Sequence, residues 1–271
     1  MIYDLHSHST ASDGILSPTA LLERAAEKNV DCLALTDHDT LRGIEEAQIA
    51  ANKNNVRLLP GVEISTRWKD YEIHIVGLNV DPDDKGLLNG LQRQQDLRQK
   101  RFEAMLQKLD EAGLTGTENI ISNFANGEHV GRPLIAKFLV EAEYCNYSEV
   151  YKHLSPGGKF YVAANWEFLD YTVRWIVNSG GVAVIAHPDC YNFTPPSVKG
   201  IMREFKEAGG QAIEVCYGAC AKANINRYSS FAKKYNLYGS MGSDFHRPRQ
   251  GIELGRLKKL PANVAPVWEL F

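Results

Sequence analysis

Tyr3-Asp4-Leu5-His6-Ser7-His8 is the stretch whose reading decides the fold. A short apolar run ends in two histidines separated by one residue. On a strand, residues two apart face the same side, so both rings can reach one ion. Alone, the pair is a weak signal, but the same motif of ligand types closing an apolar run returns along the chain. It appears as Thr36-Asp37-His38-Asp39, Gly61-Val62-Glu63, Glu72-Ile73-His74, Ala186-His187-Pro188 and Gly242-Ser243-Asp244-Phe245-His246. Asp13, before Gly14 in a turn-like segment, lies just past the first run. Ligands on the ends of successive barrel strands converge in space however far apart they are in the chain.

Working outward, seven runs read as buried strands: Ile2–His6, Cys32–Thr36, Arg57–Val62, Glu72–Val76, Val182–Ala186, Ala212–Cys216 and Leu237–Met241. The unbroken Val182-Ala183-Val184-Ile185-Ala186 fits a strand covered on both faces. Ser17-Pro18 opens a helix, with Ser as cap and Pro at the first position. Leu21, Leu22, Ala25 and Ala26 give that helix an apolar stripe. A second helix is expected from Leu41 to about Asn54. Alternating strand and helix predicts an α/β fold of parallel βα units.

The alternation breaks between residues 82 and 168. Gly86 to Ala112 reads as one long helix that Gly113 can end. Shorter helices are expected around Arg132–Glu143 and Tyr147–Leu154. The predicted organisation is a metal-binding barrel over residues 1–81 and 169–271, with an inserted helical lid or substrate domain over 82–168.

Composition narrows the classes. The apolar content of 44% and charged content of 23% are those of an ordinary soluble globular chain, not a disordered or fibrous one. A formal charge of −3 gives no broad attraction for duplex DNA or an anionic membrane. It leaves room for a small phosphorylated substrate, because bound metal ions add local positive charge. No stretch approaches the roughly 18 apolar residues of a membrane span. Met1-Ile2-Tyr3-Asp4 lacks the basic region of a signal peptide. The five cysteines form an odd set without a CxxC, which suggests free thiols in a reducing compartment. A cytoplasmic location is expected.

The candidate metal ligands, and hence the candidate catalytic set, are His6, His8, Asp13, His38, Glu63, His74, His187, Asp244 and His246. A carboxylate can bridge two ions through its two oxygens, and Glu63 is placed to do so. Imidazole with carboxylate suits Mn²⁺ first, with Fe²⁺ or Zn²⁺ as alternatives, and two or three ions are expected. Clustered divalent ions suit phosphate-ester hydrolysis because they acidify water and neutralise charge on the phosphoryl oxygens. The chain has no GxSxG elbow, no HExxH helix and no Gly-rich Lys loop. Arg132, in Gly131-Arg132-Pro133, opens a predicted helix, where a guanidinium fork and a helix N-terminus suit an oxyanion. His129, Lys159, Arg67 and Arg247 are weaker phosphate candidates. Asp37 and Asp39 are read as orienting His38 or other ligands, and Asp39 alternatively as a helix cap.

These motifs resemble the polymerase and histidinol phosphatase (PHP) domain family, from His6 to Leu260. The phrases that carry the likeness are Tyr3-Asp4-Leu5-His6-Ser7-His8-Ser9-Thr10-Ala11-Ser12-Asp13-Gly14, Thr36-Asp37-His38-Asp39-Thr40 and Leu59-Pro60-Gly61-Val62-Glu63-Ile64-Ser65, with the His74, His187 and Asp244 motifs. Within the family the chain is similar to the bacterial branch of RNase AM and the nucleoside 3′,5′-bisphosphate phosphatases. The resemblance implies a distorted (β/α)7 barrel with a small inserted domain. It implies a first ion at His6, His8, Glu63 and Asp244, a second at Asp13, His38 and His246, and a third at Glu63, His74 and His187. It maps the family's phosphate-binding arginine onto Arg132. Asp13 stands where many relatives carry histidine. Leu134 and Tyr217-Gly218-Ala219-Cys220 also depart from the family pattern, at positions that bear on substrate preference. The implied activities are removal of the 3′-phosphate from nucleoside 3′,5′-bisphosphates and 5′-to-3′ trimming of short 5′-monophosphorylated RNA. The partners so implied are a small nucleotide and single-stranded RNA ends. A phosphatase for a small polyol or amino-alcohol phosphate is the enzymatic alternative, and a non-catalytic metal-stabilised binding module the other.

Overall fold

Seven strands pair side by side in chain order: β1 (Tyr3–Asp4), β2 (Cys32–Leu35), β3 (Arg57–Trp68), β4 (Tyr71–Leu78), β5 (Val182–Ile185), β6 (Ala212–Tyr217) and β7 (Tyr238–Gly242). The chain just beyond β1 bonds the end of β7 and the segment after it. Leu5 N donates to Met241 O at 3.0 Å, Asp244 N to His6 O at 2.9 Å and His8 N to Phe245 O at 2.9 Å. The sheet therefore nearly closes into a barrel, as the strand pattern predicts. This computed structural model describes residues 1–114, 116–117, 130–191 and 193–271. His129 lies outside the described residues.

The chain separates into two compact units, Met1–Gln92 with Glu167–Phe271, and Arg93–Trp166. In the first, Leu5, Cys32, Ala34, Leu59, Val76, Val184 and Ala212, in or beside six strands, form one buried cluster. The inward run of each strand supplies it, which is why these strands read as continuously apolar.

One expectation fails. The alternation predicts parallel βα units, but β3 and β4 form an antiparallel hairpin from Gly61↔Leu78 to Trp68↔Tyr71. β4 is antiparallel to β5 as well. The physical reason is a two-residue connection, Lys69-Asp70, with Lys69 at φ 53°. A link that short joins antiparallel neighbours only, and a left-handed residue suits its twist. Glu63 and His74 consequently lie inside long strands and not at strand ends. Directly opposed residues share a face, and His74 opposes Ser65. Glu63, two before Ser65, is thus on the same face as His74 and diagonal to it.

The helices follow local chemistry. In α1 (Pro18–Glu27), Ser17 Oγ accepts Ala20 N at 3.2 Å and Pro18 takes the first position. Its Leu21, Leu22 and Ala25 pack on Ala47 and Ala51 of α2 (Ile44–Asn54). The second helix starts at Ile44, later than Leu41, because Gly43 occupies its N-cap. α3 (Lys85–Glu111) is the long helix, and Gly113 follows it at φ 79°. Only glycine takes that conformation without strain, so the helix stops there. α4 (Arg132–Glu141) and α5 (Val150–Leu154) are shorter than expected. Phe102, Met105 and Leu109 of α3, Ile135 and Leu139 of α4, Val150 and Leu154 of α5, and Phe160 make the second unit's own core. The first unit is completed by α6 (Leu169–Asn178), α7 (Pro195–Glu207) and α8 (Lys222–Tyr235). Among the described residues, no helix is long and apolar enough to cross a membrane.

Candidate metal centre

Nine side chains from separate parts of the chain meet at one end of the barrel. His6 and His8 leave β1, His38 leaves β2, His187 leaves β5, and Asp244 and His246 leave β7. Glu63 and His74 come from the β3–β4 hairpin, and Asp13 from the loop after His8. Glycine permits the tightest approach. A Cβ on Gly242 would collide with the Cβ of His6, so only glycine lets β7 pass the first histidine. Two of the residues sit in backbone conformations rare for L side chains, His187 at φ 25° and Asp244 at φ 52°. Such strain persists where the surroundings over-determine it.

Glu63 is the hub. Its Oε1 lies 2.8 Å from His74 Nδ1 and 2.8 Å from His187 Nε2. Its Oε2 lies 3.0 Å from His38 Nδ1, 3.2 Å from His8 Nε2 and 3.3 Å from His6 Nε2. Asp244 Oδ1 stands 3.4 Å from His8 Nε2, and Asp13 Oδ1 is 3.2 Å from His246 Nε2. The ligand atoms fall into four overlapping groups, each within 4.8 Å. They are His8, Asp13, His38 and His246; His6, Glu63 and His187; His6, His8 and Asp244; and His38, Glu63 and His74.

The donor set fits divalent ions. His6 Nε2, both ring nitrogens of His8, and Glu63 Oε2 are buried and accept or donate no hydrogen bond. Leaving several polar atoms dry and unbonded costs a fold dearly unless something else satisfies them. Their lone pairs converge, which is the arrangement a cation resolves. The charges also lean on one another. Burial would raise the pKa of Glu63, but His38, His74 and His6 hold its carboxyl well below the usual range. Burial opposes charge on His6, yet Glu214 and then Glu63 raise its pKa well above the ordinary imidazole value. His8 is pushed up to about 10: burial opposes this, and Asp244 and Glu63 outweigh it. Burial pulls the pKa of His38 well below the ordinary imidazole value, against Glu63 and Asp13, which raise it. Asp13 is held low against burial by His38 and His246.

Depth grades across the site. His6 and His8 are 0% exposed, whereas the side chains of Asp244 and His246 are 25% and 30% exposed. A floor of buried ligands and a rim of accessible ones leaves one side open to a substrate.

Four supporting residues stand out. Asp37 is not among the ligand groups. It accepts Ser9 N at 2.8 Å, Ser9 Oγ at 2.7 Å and Ser12 Oγ at 2.5 Å, and so folds the loop that carries Asp13. Asp39 caps no helix, since α2 begins at Ile44; its Oδ1 accepts Ser65 N at 2.8 Å and ties β2 to the hairpin. Asp4 accepts Ser243 N at 2.7 Å and Gly255 N at 2.9 Å, holding the segment around Asp244. Tyr191, which sequence reasoning missed, places its hydroxyl 2.9 Å from His74 N, which donates to it, and 3.0 Å from His187 Nδ1. Its only sequence signal is its place four residues after His187. Arg132 opens α4 in the second unit, with Gly131 at the N-cap and Pro133 following.

Comparison with known proteins agrees with this geometry. The PHP domain family profile matches residues 4–238. A 5′-3′ exoribonuclease of Haemophilus influenzae is 42% identical, covering 99% of this chain and 98% of the relative. A 3′,5′-nucleoside bisphosphate phosphatase of Chromobacterium violaceum is 38% identical over 98% of this chain and 94% of its own. Among solved structures, one described as an amidohydrolase from Chromobacterium violaceum, with bound sulfate and no metal, superposes with a TM-score of 0.92. It is 37% identical and covers 100% of this chain and 96% of its own.

Proposed function

The chain belongs to the PHP domain family, and from that premise we propose that it is a metal-dependent phosphoesterase acting on nucleotides and RNA ends. Its reactions are removal of the 3′-phosphate from nucleoside 3′,5′-bisphosphates and stepwise 5′-to-3′ trimming of short 5′-monophosphorylated RNA. The observation that carries this reading is the convergence of nine ligand-type side chains, with the buried carboxylate of Glu63 at their hub. The activities named for the two relatives, an exoribonuclease and a bisphosphate phosphatase, support the substrate class.

The nine residues would hold two or three divalent ions, with Mn²⁺ favoured by the imidazole-carboxylate set. Such ions acidify water and neutralise charge on the phosphoryl oxygens. The chain's own groups do the rest. Glu63 faces five histidines with two oxygens and fixes the spacing of the cluster. The exposed rim of Asp244, His246 and His74 meets the substrate. Glu214, Tyr191 and Asp39 hold ligand-bearing segments in place, so little reorganisation is needed when the substrate arrives. Arg132 is assigned to the substrate's 5′-phosphate, which its fork can bond bidentately. One centre then serves both reactions, because in each the attacked phosphate lies 3′ of a 5′-phosphorylated nucleoside. A cytoplasmic location belongs to the same reading.

The test is a substrate comparison with purified protein reconstituted with Mn²⁺. Adenosine 3′,5′-bisphosphate and a 5′-phosphorylated oligoribonucleotide should turn over far faster than a simple aryl phosphate, and a chelator should stop all three. Equal rates on the aryl phosphate would instead favour a general small-molecule phosphatase.

A further inference from the structure

The geometry points to Glu214 as a positioning residue that dictates which ring nitrogen of His6 faces the metal centre and holds the main chain of His187 beside it. This inference rests on the metal-centre reading above. Glu214 lies in β6 between Ile213 and Val215 and is 1% exposed. A carboxylate in so apolar a strand is costly unless both oxygens are bonded. Both are. Oε1 is 2.8 Å from His6 Nδ1, and Oε2 accepts the main-chain N–H of His187 at 2.5 Å.

An ionised carboxylate only accepts hydrogen bonds. Nδ1 of His6 must therefore carry a proton. In the neutral ring that leaves Nε2 bare, and Nε2 is the atom 3.3 Å from Glu63 Oε2 and 3.7 Å from Asp244 Oδ1. Glu214 thus stands behind the ring, on the edge away from the cluster, and selects the tautomer that can bind a cation. Its second contact restrains His187 at the strained φ of 25°. One carboxylate orients one candidate ligand through its ring and another through its backbone.

Glu214→Gln separates this role from bulk. The amide has the same shape but only one accepting oxygen. The His187 N–H cannot become an acceptor, so the amide oxygen stays with it and the NH₂ turns to His6. His6 Nδ1 must then accept, and the ring proton moves to Nε2, the wrong nitrogen. Outer partners of this kind are worth about 10- to 100-fold in metal affinity.

The experiment uses the whole chain with ¹⁵N-labelled histidine, metal-free and zinc-loaded. Long-range ¹H–¹⁵N spectra read the protonated nitrogen of His6, and zinc affinity is read by chelator competition. Zinc-loaded wild type should show His6 protonated on Nδ1 alone. Glu214→Gln should bind at least one ion about 10- to 100-fold more weakly, with the His6 proton on Nε2 and unchanged circular dichroism. Wild type protonated on Nε2 overturns the inference, and needs no variant to fold. Weakened zinc binding with the proton still on Nδ1 also overturns it, because Glu214 would then act only as charge or packing. Equal zinc affinity in wild type and Glu214→Gln refutes the positioning role alone. A wild type that binds none refutes the metal centre itself, and this inference with it.

Discussion

Glu63→Gln is the sharpest perturbation of the metal centre. The variant keeps the side chain's volume and one oxygen but removes its charge and second acceptor. Glu63 belongs to two of the four ligand groups, with His6 and His187 and with His38 and His74, whereas Asp13 belongs to one. Oε1 and Oε2 also serve different histidines, so no single amide oxygen replaces both. Each affected ion loses a charged interaction worth about 1.5–3 kcal/mol, a factor of roughly ten to somewhat over a hundred in affinity. Two ions should weaken by that amount in Glu63→Gln, and one in Asp13→Asn. The assay is Mn²⁺ or Zn²⁺ titration of metal-free protein against a competing chelator, with elemental analysis of the saturated product. If Glu63→Gln weakens a single ion, to the same degree as Asp13→Asn, Glu63 is no bridge and the shared-hub reasoning is wrong.

Chemistry and substrate grip should separate in the kinetics. Asp244→Ala and His187→Ala should lower kcat on every substrate. Arg132→Ala should cost about 1.5–3 kcal/mol on substrates with a 5′-phosphate and little on an aryl phosphate; an equal loss on both removes Arg132 from the selective role. Arg24 and Glu253 tie the two ends of the chain, with Nε–Oε1 at 2.9 Å and Nη2–Oε2 at 2.6 Å. Burial would raise Glu253, but Arg24 and the Leu254 N–H lower its pKa in the folded state. A depressed folded pKa stabilises above the unfolded value of about 4.3 and is lost as pH falls through the folded one. Glu253→Gln should therefore reduce Tm near neutral pH, by an amount equivalent to about 1 kcal/mol, and converge with wild type in acid. A gap that persists in acid would point to packing instead.

Much of the centre was legible because metal-type ligands leave a chemical trace at six of the seven strands. His6 and His8, or Asp244 and His246, announce themselves by alternation, and apolar strands make a following His or Glu conspicuous. The hairpin was not legible. Lys69-Asp70 carries no glycine, and β4 reads like any buried strand, so Glu72-Ile73-His74 passed for another strand end. Its direction depends on the two-residue link, a tertiary fact. Glu214 hid for the opposite reason. The run Ala212–Cys216 reads as a buried strand, and the lone carboxylate within it signals a buried partner only once His6 and His187 are seen beside it. Asp37 and Asp39 read as orienting His38 or other ligands, and the bonds described for them reach Ser9, Ser12 and Ser65. Short polar side chains satisfy whichever backbone turn lies near them, and spacing alone does not name that turn.

The claim that this centre reads a 5′ terminus is tested most directly by one product ladder. A 3′-labelled, 5′-monophosphorylated single-stranded RNA and a circular RNA of the same sequence are incubated with the Mn²⁺-loaded protein. A 5′-phosphate site sets a fixed distance to the attacked bond, so the linear RNA should shorten one nucleotide at a time, and a 5′-hydroxyl end should slow it. The circle should stay intact. Efficient cutting of the circle, or a ladder indifferent to the 5′-phosphate, would contradict the account.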